Sequence, residues 1–341
     1  MIVRAKAPLR IGLAGGGTDV SPYSDVYGGC ILNATINMFA YTTIEVRNDG
    51  LLHFEASDIQ KSYSGEAKCS IDVSGELILH KAIYNRIVRD FNNNEPLAIN
   101  VITYSDAPPG SGLGSSSTMV VSILAAYREL LKLPLGEYDL AHLAFEIERE
   151  DCNLSGGKQD QYAATFGGVN FMEFHQDRVL VNPLRIRPDI LNELESQMVL
   201  YFTGISRDSA KIIDDQIKAS ADKDDSKSLE SLHLVKQHAF EMKECLLRND
   251  IKGMSDILKA SWLAKKGTSS SISNPHVEEV SELALANGAK SLKLSGAGGG
   301  GFMMIFAEPT KKLALMNLLE TTDGQVHKFQ LTQTGVQAWT V

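Results

Sequence analysis

A glycine- and serine-rich loop between a short predicted strand and a long predicted helix constrains this chain more than any other feature. The strand is predicted over 97–104 and the helix over about 118–131, and the loop reads Pro109-Gly110-Ser111-Gly112-Leu113-Gly114-Ser115-Ser116-Ser117. Glycines let backbone N–H groups approach an anion closely, and the helix that follows aims its unpaired N–H groups at the same point. The loop therefore predicts a phosphate site, with serine hydroxyls that can cap the helix or ligate Mg2+.

Two better-known phosphate loops do not fit this segment. A Walker A loop requires a lysine before its Ser/Thr, and residues 109–117 contain none. A dinucleotide-binding fingerprint requires GxGxxG, whereas the glycines here fall at 110, 112 and 114. A flexible turn that ends in a serine helix cap remains an alternative.

The chain has 341 residues, which favours two domains. Strand and helix signals mix without a sustained βαβ repeat, so the predicted fold class is α+β. Prolines and polar residues interrupt the pattern near 182–190 and place the predicted boundary there. The sequence thus predicts an N-terminal, ATP-binding domain over 1–185 and a C-terminal domain over 186–341.

Charge and composition indicate the class of partner. The formal net charge is −9, and no Lys/Arg-rich run interrupts the acidic balance. Such a chain repels nucleic acid and anionic membranes, so a small-molecule ligand is predicted. No apolar run approaches the roughly 18 residues that span a membrane, and the N-terminus does not read as a signal peptide. We expect a cytoplasmic protein whose four scattered cysteines are reduced thiols.

Two further glycine clusters lie near the ends of the chain. Residues 296–301 match GxGxxG, but the next segment reads as a strand, which argues against a nucleotide-dependent oxidoreductase without excluding one. We expect this cluster to press against another backbone, such as the loop at 109–117. The other cluster spans 8–19 and sets three glycines beside Arg10 and Asp19. A ligand that approaches the backbone and a plain surface turn both fit it.

Together the three clusters resemble the motifs of the GHMP kinase superfamily, and the resemblance covers essentially the whole chain. The most specific motif is Pro-x-x-x-Gly-Leu-Gly-Ser-Ser, at 109–117. The resemblance implies an N-terminal domain like ribosomal protein S5 domain 2 and a ferredoxin-like C-terminal domain. ATP and the phosphoryl acceptor would bind between them, with residues 109–117 around the ATP phosphates.

The same resemblance implies roles for individual residues. Asp160 would be the catalytic base or orienting group, and Arg10 would lie beside it near the transferring phosphate. Ser115 and Glu148 would hold Mg2+, which prefers hard oxygen ligands. Asp19 would bind sugar hydroxyls, and the proposed substrate set is Gly16, Gly17, Thr18, Asp19, Lys158, Arg207, Lys211, Gly298 and Gly299.

Two segments resemble the D-glycero-D-manno-heptose 7-phosphate kinases within this superfamily. They are Ala14–Asp19 and the run that begins at Tyr201 and ends at Ala210. The resemblance implies transfer to the anomeric hydroxyl at C1, which yields a 1,7-bisphosphate. Besides the cations above, Lys265 and Lys266 are candidates for the acceptor's phosphate. Fucose, galactose or a related free sugar remains an alternative acceptor, as does a non-catalytic sugar sensor, and the oligomeric state stays open.

Overall fold

The structure is a computed structural model that describes residues 1–206, 212–214, 217 and 226–341, without the side chains of Ser226 and Ser270. All statements below concern these residues.

A large mixed sheet forms the first part of the fold. Its strands are β1 (Ile2–Ala14), β2 (Gly29–Val46), β3 (Leu51–Ala56), β4 (Lys61–Glu66), β5 (Ile99–Ser105), β6 (Val169–Phe174), β7 (Val179–Pro183) and β12 (Gln337–Thr340). The spatial order is β12-β1-β2-β5-β3-β4, and β6 pairs with β2 and β7. The long strand β2 pairs with β6 over its first half and with β5 over its second half, so it links both wings of the sheet.

Helices cover this sheet because its alternating residues supply an apolar face. They are α2 (Ile78–Phe91), α3 (Ser115–Leu131), α4 (Glu137–Glu146) and α5 (Gln159–Phe166), and the short α1 (Tyr23–Tyr27) precedes β2. Helix α3 is buried over most of its surface, and Val120, Leu124 and Tyr127 enter one core with Ile44 and Phe54 of the sheet. The start of α3 is therefore held in place by its packing.

A second, fully antiparallel sheet follows in the chain. Its strands are β8 (Met198–Phe202), β9 (Ala289–Leu294), β10 (Phe302–Ala307) and β11 (Gln325–His327), in the spatial order β11-β8-β10-β9. Around it lie α6 (Pro188–Gln197), α7 (Ser226–Leu247), α8 (Ile251–Lys266), α9 (Pro275–Ala286) and α10 (Pro309–Leu319). Counted along the chain, the strand order is 4-1-3-2 with helices between strands one and two and between three and four. This is the ferredoxin-like arrangement that the resemblance implies.

The two parts of the chain share a hydrophobic core. Leu9 and Ile11 of β1 pack in one buried cluster with Met242 of α7, Leu258 of α8 and Phe302 of β10. Strand β12 also returns to the first sheet, where it pairs with β1. The division at 185/186 stays a prediction, and the return of β12 shows that late residues complete the early sheet.

Most of the predicted elements are found, and several observed elements are not predicted by the sequence. The hairpin of β3 and β4 is not predicted, and neither is α6, whose first turn overlaps the end of the predicted interruption at 182–190. Helix α5 begins inside the predicted loop 153–161 and occupies the first residues of the strand predicted over 164–173. Predicted helix 206–221 falls largely outside the described residues. No described helix is long and apolar enough to cross a membrane.

Candidate active site

The loop from β5 to α3 has the form that the sequence predicts for an anion site. Gly110, Gly112 and Gly114 all have positive φ angles, which a side chain would disfavour. The first helical hydrogen bond of α3 runs from the Thr118 N–H to the Gly114 carbonyl, at 2.9 Å. The N–H groups of residues 115–117 therefore precede the helical ladder and point along its positive end. Leu113 is buried and its carbonyl accepts the Arg10 N–H at 3.1 Å, which ties the loop to β1.

The glycine cluster at 296–301 braces this loop, as the sequence predicts. The Phe302 N–H donates to the Ser111 carbonyl at 2.8 Å. A Cβ placed on Gly296 would lie 2.7 Å from the Gly112 Cα, and one on Gly112 would collide with the Ser295 carbonyl oxygen. The backbones of the two loops therefore touch, and a side chain at either glycine would force them apart.

A partly buried ion pair lies directly beside the loop. Arg10 Nε donates to Asp160 Oδ1 at 2.6 Å and Nη2 donates to Oδ2 at 2.9 Å, which is a bidentate pairing. Arg10 also donates to the Gly112 carbonyl at 2.5 Å. A Cβ on Gly114 would lie 3.0 Å from the Asp160 carboxyl carbon. The structure thus brings the two predicted catalytic residues together at the phosphate loop.

Asp19 lies in the turn after β1, at the end of the glycine cluster over 8–19. Its Oδ2 accepts the Gln159 N–H at 3.0 Å and its Oδ1 accepts the Gly17 N–H at 3.3 Å. Burial raises the pKa of Asp19, and the nearby charge of Asp160 adds to this effect. The Thr18 hydroxyl instead donates to the carbonyls of Gly15 and Cys30, at 2.8 and 3.1 Å, and holds the turn.

Glu148 lies on a π-helical turn over 147–151 that extends α4. Its Oε1 accepts the Ser116 hydroxyl at 3.3 Å, and its Oε2 accepts the Gln161 amide at 2.5 Å. Burial raises the pKa of Glu148. The Ser115 hydroxyl contacts Ser111 Oγ at 3.0 Å and the Pro108 carbonyl at 3.2 Å. Ser116 thus contacts Glu148 directly, and the role of Ser115 in holding Mg2+ stays a prediction.

These oxygens form an incomplete set of hard ligands. Among the described residues no group of three or more His, Cys, Asp or Glu side chains could hold a metal ion. Mg2+ commonly binds through one or two carboxylates together with substrate phosphates and water. The Glu148 carboxylate beside serine hydroxyls, at the mouth of the phosphate loop, fits that mode of binding.

Two lysines approach the site from the second sheet and α8. Lys293 Nζ donates to the Gly12 carbonyl at 2.9 Å, and Lys265 Nζ donates to the Gly296 carbonyl. Both are buried. Lys265 follows Trp262 at the end of a predicted helix, and only that position suggested it. No sequence signal distinguished Lys293 or Gln161.

Several predicted substrate residues lie in other surroundings. Lys158 Nζ donates to Asp25 at 3.1 Å and to the His175 carbonyl at 3.0 Å. The Gly299 N–H donates to the Ile272 carbonyl at 2.7 Å, and a Cβ on Gly298 would meet the same carbonyl at 2.8 Å. Arg207 and Lys211 lie outside the described residues. Lys158, Gly298 and Gly299 are thus engaged by the protein itself.

A single cleft of about 560 Å3 joins the groups that do come together. The carboxylates of Asp19, Glu148 and Asp160 line it with Arg10, Lys265 and the loop glycines 110, 112 and 114. The start of α3, with its unpaired N–H groups, faces this cleft, and the Asp160 carboxylate lies beside it. Asp19 supplies a second carboxylate farther along the wall. This arrangement suits the transfer of a phosphoryl group to a hydroxyl.

Comparisons with known proteins agree with this geometry. The family model of the GHMP kinases N terminal domain matches residues 78–168, and that of the GHMP kinases C terminal matches residues 242–316. The D-glycero-alpha-D-manno-heptose 7-phosphate kinase of Campylobacter jejuni is 50% identical over 99% of both chains. A crystal structure described as a D-glycero-D-manno-heptose 1-phosphate kinase from Bacteroides thetaiotaomicron is 46% identical, covers 99% of both chains and has a TM-score of 0.85. The L-fucokinase/L-fucose-1-P guanylyltransferase of Bacteroides fragilis is 26% identical over 93% of this chain and 36% of its own length.

Proposed function

Because the chain belongs to the GHMP kinases and is a sugar kinase that uses ATP, we propose that it phosphorylates D-glycero-D-manno-heptose 7-phosphate at the anomeric hydroxyl. The product is the 1,7-bisphosphate. The observation that supports the reaction type is the close approach of the Asp160 carboxyl to the phosphate loop, where a Cβ added to Gly114 would lie 3.0 Å from the carboxyl carbon. The identity of the acceptor rests on the 50% identity to the Campylobacter enzyme.

The names of the two heptose kinases place the existing phosphate on different carbons, C7 in one and C1 in the other. We favour C7 in the substrate because the anomeric hydroxyl is the most acidic hydroxyl of a sugar. It suits a carboxylate base better than an ordinary alcohol does. A phosphate on C1 would block that hydroxyl and require a different acceptor oxygen.

Different residues of the chain would carry out different parts of the phosphoryl transfer. The N–H groups at 109–117 would bind the ATP phosphates, and Asp19 would hold acceptor hydroxyls in the same cleft. Asp160 would accept the proton of the attacking hydroxyl, a contribution of typically about 10²–10⁴ in rate. Arg10 grips both Asp160 oxygens, so the carboxylate is oriented before substrate binds.

Mg2+ would be held by Glu148 with Ser116, and with Ser115 if its hydroxyl turns from Ser111. Bound there, the ion would neutralise charge on the ATP phosphates. Gln161 donates to Glu148 and would keep the carboxylate aimed at this point. We place the enzyme in the cytoplasm, where its nucleotide is found.

The test is an ADP-release assay with a panel of acceptors. Heptose 7-phosphate, heptose 1-phosphate, free heptose, L-fucose and D-galactose are compared at saturating Mg-ATP. We expect heptose 7-phosphate to exceed free heptose by at least about tenfold in kcat/KM, because a phosphate contact adds charge-assisted hydrogen bonds. Phosphorus NMR would locate the new phosphate on C1. Preferred turnover of a free sugar or of heptose 1-phosphate would refute the proposed acceptor.

A further inference from the structure

Lys265 is a buried cation that the mechanism above does not use. It lies in the last turn of α8, lines the cleft and is 3% exposed. Its Nζ donates to the Gly296 carbonyl, and a Cβ on Gly16 would lie 3.8 Å from that nitrogen. An ammonium group carries three donors. The Gly296 carbonyl takes one, and among the described residues no hydrogen bond from the other two is found.

The charges around Lys265 favour an acceptor-facing role. Arg10 engages Asp160 through both oxygens, whereas the hydrogen bonds to Asp19 come from the backbone of Gly17 and Gln159. Apart from Glu148, whose charge the proposed Mg2+ would offset, the carboxylates of Asp19 and Asp160 repel the phosphates of both substrates unless cations offset them. Arg10 offsets one. Lys265, against Gly16 on the Asp19 side of the cleft, is positioned to offset the other.

We propose that Lys265 is a specificity-determining residue that donates hydrogen bonds to hydroxyl oxygens of the acceptor sugar held between Asp19 and Asp160. A sugar hydroxyl both donates and accepts. A carboxylate can accept its proton while an ammonium donates to its oxygen, so the pair satisfies the donor and one lone pair of the hydroxyl. The inference rests on the proposed function, because it requires a sugar in this cleft.

Position argues for the sugar over the nucleotide. The N–H groups that would bind the ATP phosphates belong to the start of α3. Lys265 donates to Gly296, which touches Gly112 of that loop, but its amine also approaches Gly16, in the turn that holds Asp19, and this approach is what favours the acceptor. Lys266, the next residue, pairs with Glu278 at 3.1 Å and lies over the Trp262 ring. The two neighbouring lysines therefore face different surroundings, which provides a matched control.

The surroundings of Lys265 also supply a readout in pH. Burial, with the positive charge of Arg10, lowers the pKa of Lys265 to about 8, while the charges of Asp19 and Asp160 oppose this shift. Lys293 is a further cation on the same side, and its own pKa is lowered by burial and by Lys265. The pH dependence of kcat/KM reports the protonation state of the free enzyme. Because Lys265 loses its proton as pH rises through about 8, kcat/KM for the acceptor should fall over that range.

The experiment compares Lys265→Met, Lys265→Arg and the control Lys266→Met with heptose 7-phosphate as acceptor. We expect Lys265→Met to raise KM for the acceptor about 10–100-fold with KM for ATP nearly unchanged, since it removes a charged hydrogen bond. The basic limb near pH 8 should vanish in Lys265→Met and move to higher pH in Lys265→Arg, whose guanidinium stays charged. Lys266→Met should behave like the wild type.

Two results would overturn the inference: an equal rise in KM for ATP, or an unchanged basic limb in the arginine variant. The second decides the matter alone if Lys265→Met fails to fold. The wild type is first run on the acceptor panel. If it prefers another sugar, the proposed acceptor is wrong, and the same variants are compared on that sugar to test Lys265 separately.

Discussion

At the scale of single residues, Asp160 provides the sharpest test of the catalytic proposal. Asp160→Asn keeps the size of the side chain but removes the base, so kcat should fall by about 10²–10⁴. Nucleotide binding, measured by calorimetry, should change little because the loop backbone is unaltered. Asp189→Asn is the control, since Asp189 pairs with Arg187 at 2.5 Å on the surface. Turnover of Asp160→Asn at the wild-type rate would remove Asp160 from the reaction.

Glu148 provides the test of the proposed magnesium site. Glu148→Gln should raise the free Mg2+ concentration for half-maximal activity by at least about tenfold, because an amide is a poorer ligand than a carboxylate. The measurement is activity against free Mg2+ at fixed ATP. Glu150, two residues on, is exposed, and Glu150→Gln should leave the midpoint in place. An unchanged midpoint in Glu148→Gln would move the metal elsewhere.

The residue motifs predicted which groups would meet, but not which hydroxyl would face which carboxylate. Arg10, Asp19 and Asp160 converge as the motifs indicate. Ser115 and Ser116 are adjacent in the sequence, and only the direction of the α3 start decides that Ser116 contacts Glu148. Lys158 is adjacent to the α5 start, yet its amine reaches back to Asp25 at 3.1 Å. Such choices depend on tertiary neighbours that a linear pattern does not contain.

At the scale of elements, the glycine loops at 109–117 and 296–301 pack against each other, and Gly112 lies at their contact. Gly112→Ala places a methyl group against the Ser295 carbonyl at a φ of +82°, which costs about 1–2 kcal/mol before any clash. We expect a lower free energy of unfolding in urea and a raised KM for ATP. Gly136→Ala is the control, because its Cβ meets its nearest atom at 3.4 Å with a φ of −73°. A wild-type KM for ATP in Gly112→Ala would argue against a rigid loop.

The periodicity of the chain predicted the elements that carry these loops. The strand predicted over 97–104 corresponds to β5 (Ile99–Ser105), and the helix predicted over about 118–131 corresponds to α3 (Ser115–Leu131). Helix α5 was missed because Asn153–Gln161 reads as a loop and Ala164 onwards as a strand, and the helix bridges the two. The β3–β4 hairpin was missed because its second strand, Lys61–Glu66, is short and largely polar. Pairing with β3, itself aligned along β5, stabilises it where local propensity does not.

At the scale of the whole molecule, the site exists because distant parts of the chain close on one another. Arg10 reaches Ser295 at 3.3 Å, and Lys293 reaches the Gly12 carbonyl at 2.9 Å. The shared core of β1, α7 and β10 holds these contacts in register. The family resemblance implies a cleft between the two domains, but no sequence pattern identifies the individual contacts between residues nearly 300 positions apart.

The same close packing makes the stability of the molecule depend on pH through His80. It is buried in the first core with Nε2 at 2.9 Å from the Thr103 hydroxyl, and burial lowers its pKa to about 4 from 6.5. Between these values the unfolded chain binds a proton that the folded chain does not, so the free energy of unfolding falls as pH falls, by up to about 3 kcal/mol.

His80→Gln should lack this loss. Its destabilisation relative to the wild type, measured by urea unfolding, should therefore shrink by about that amount from pH 7 to pH 4. His142 is exposed, so His142→Gln should follow the wild-type curve. A constant difference between His80→Gln and the wild type across this range would mean that His80 is not the group whose protonation opposes folding.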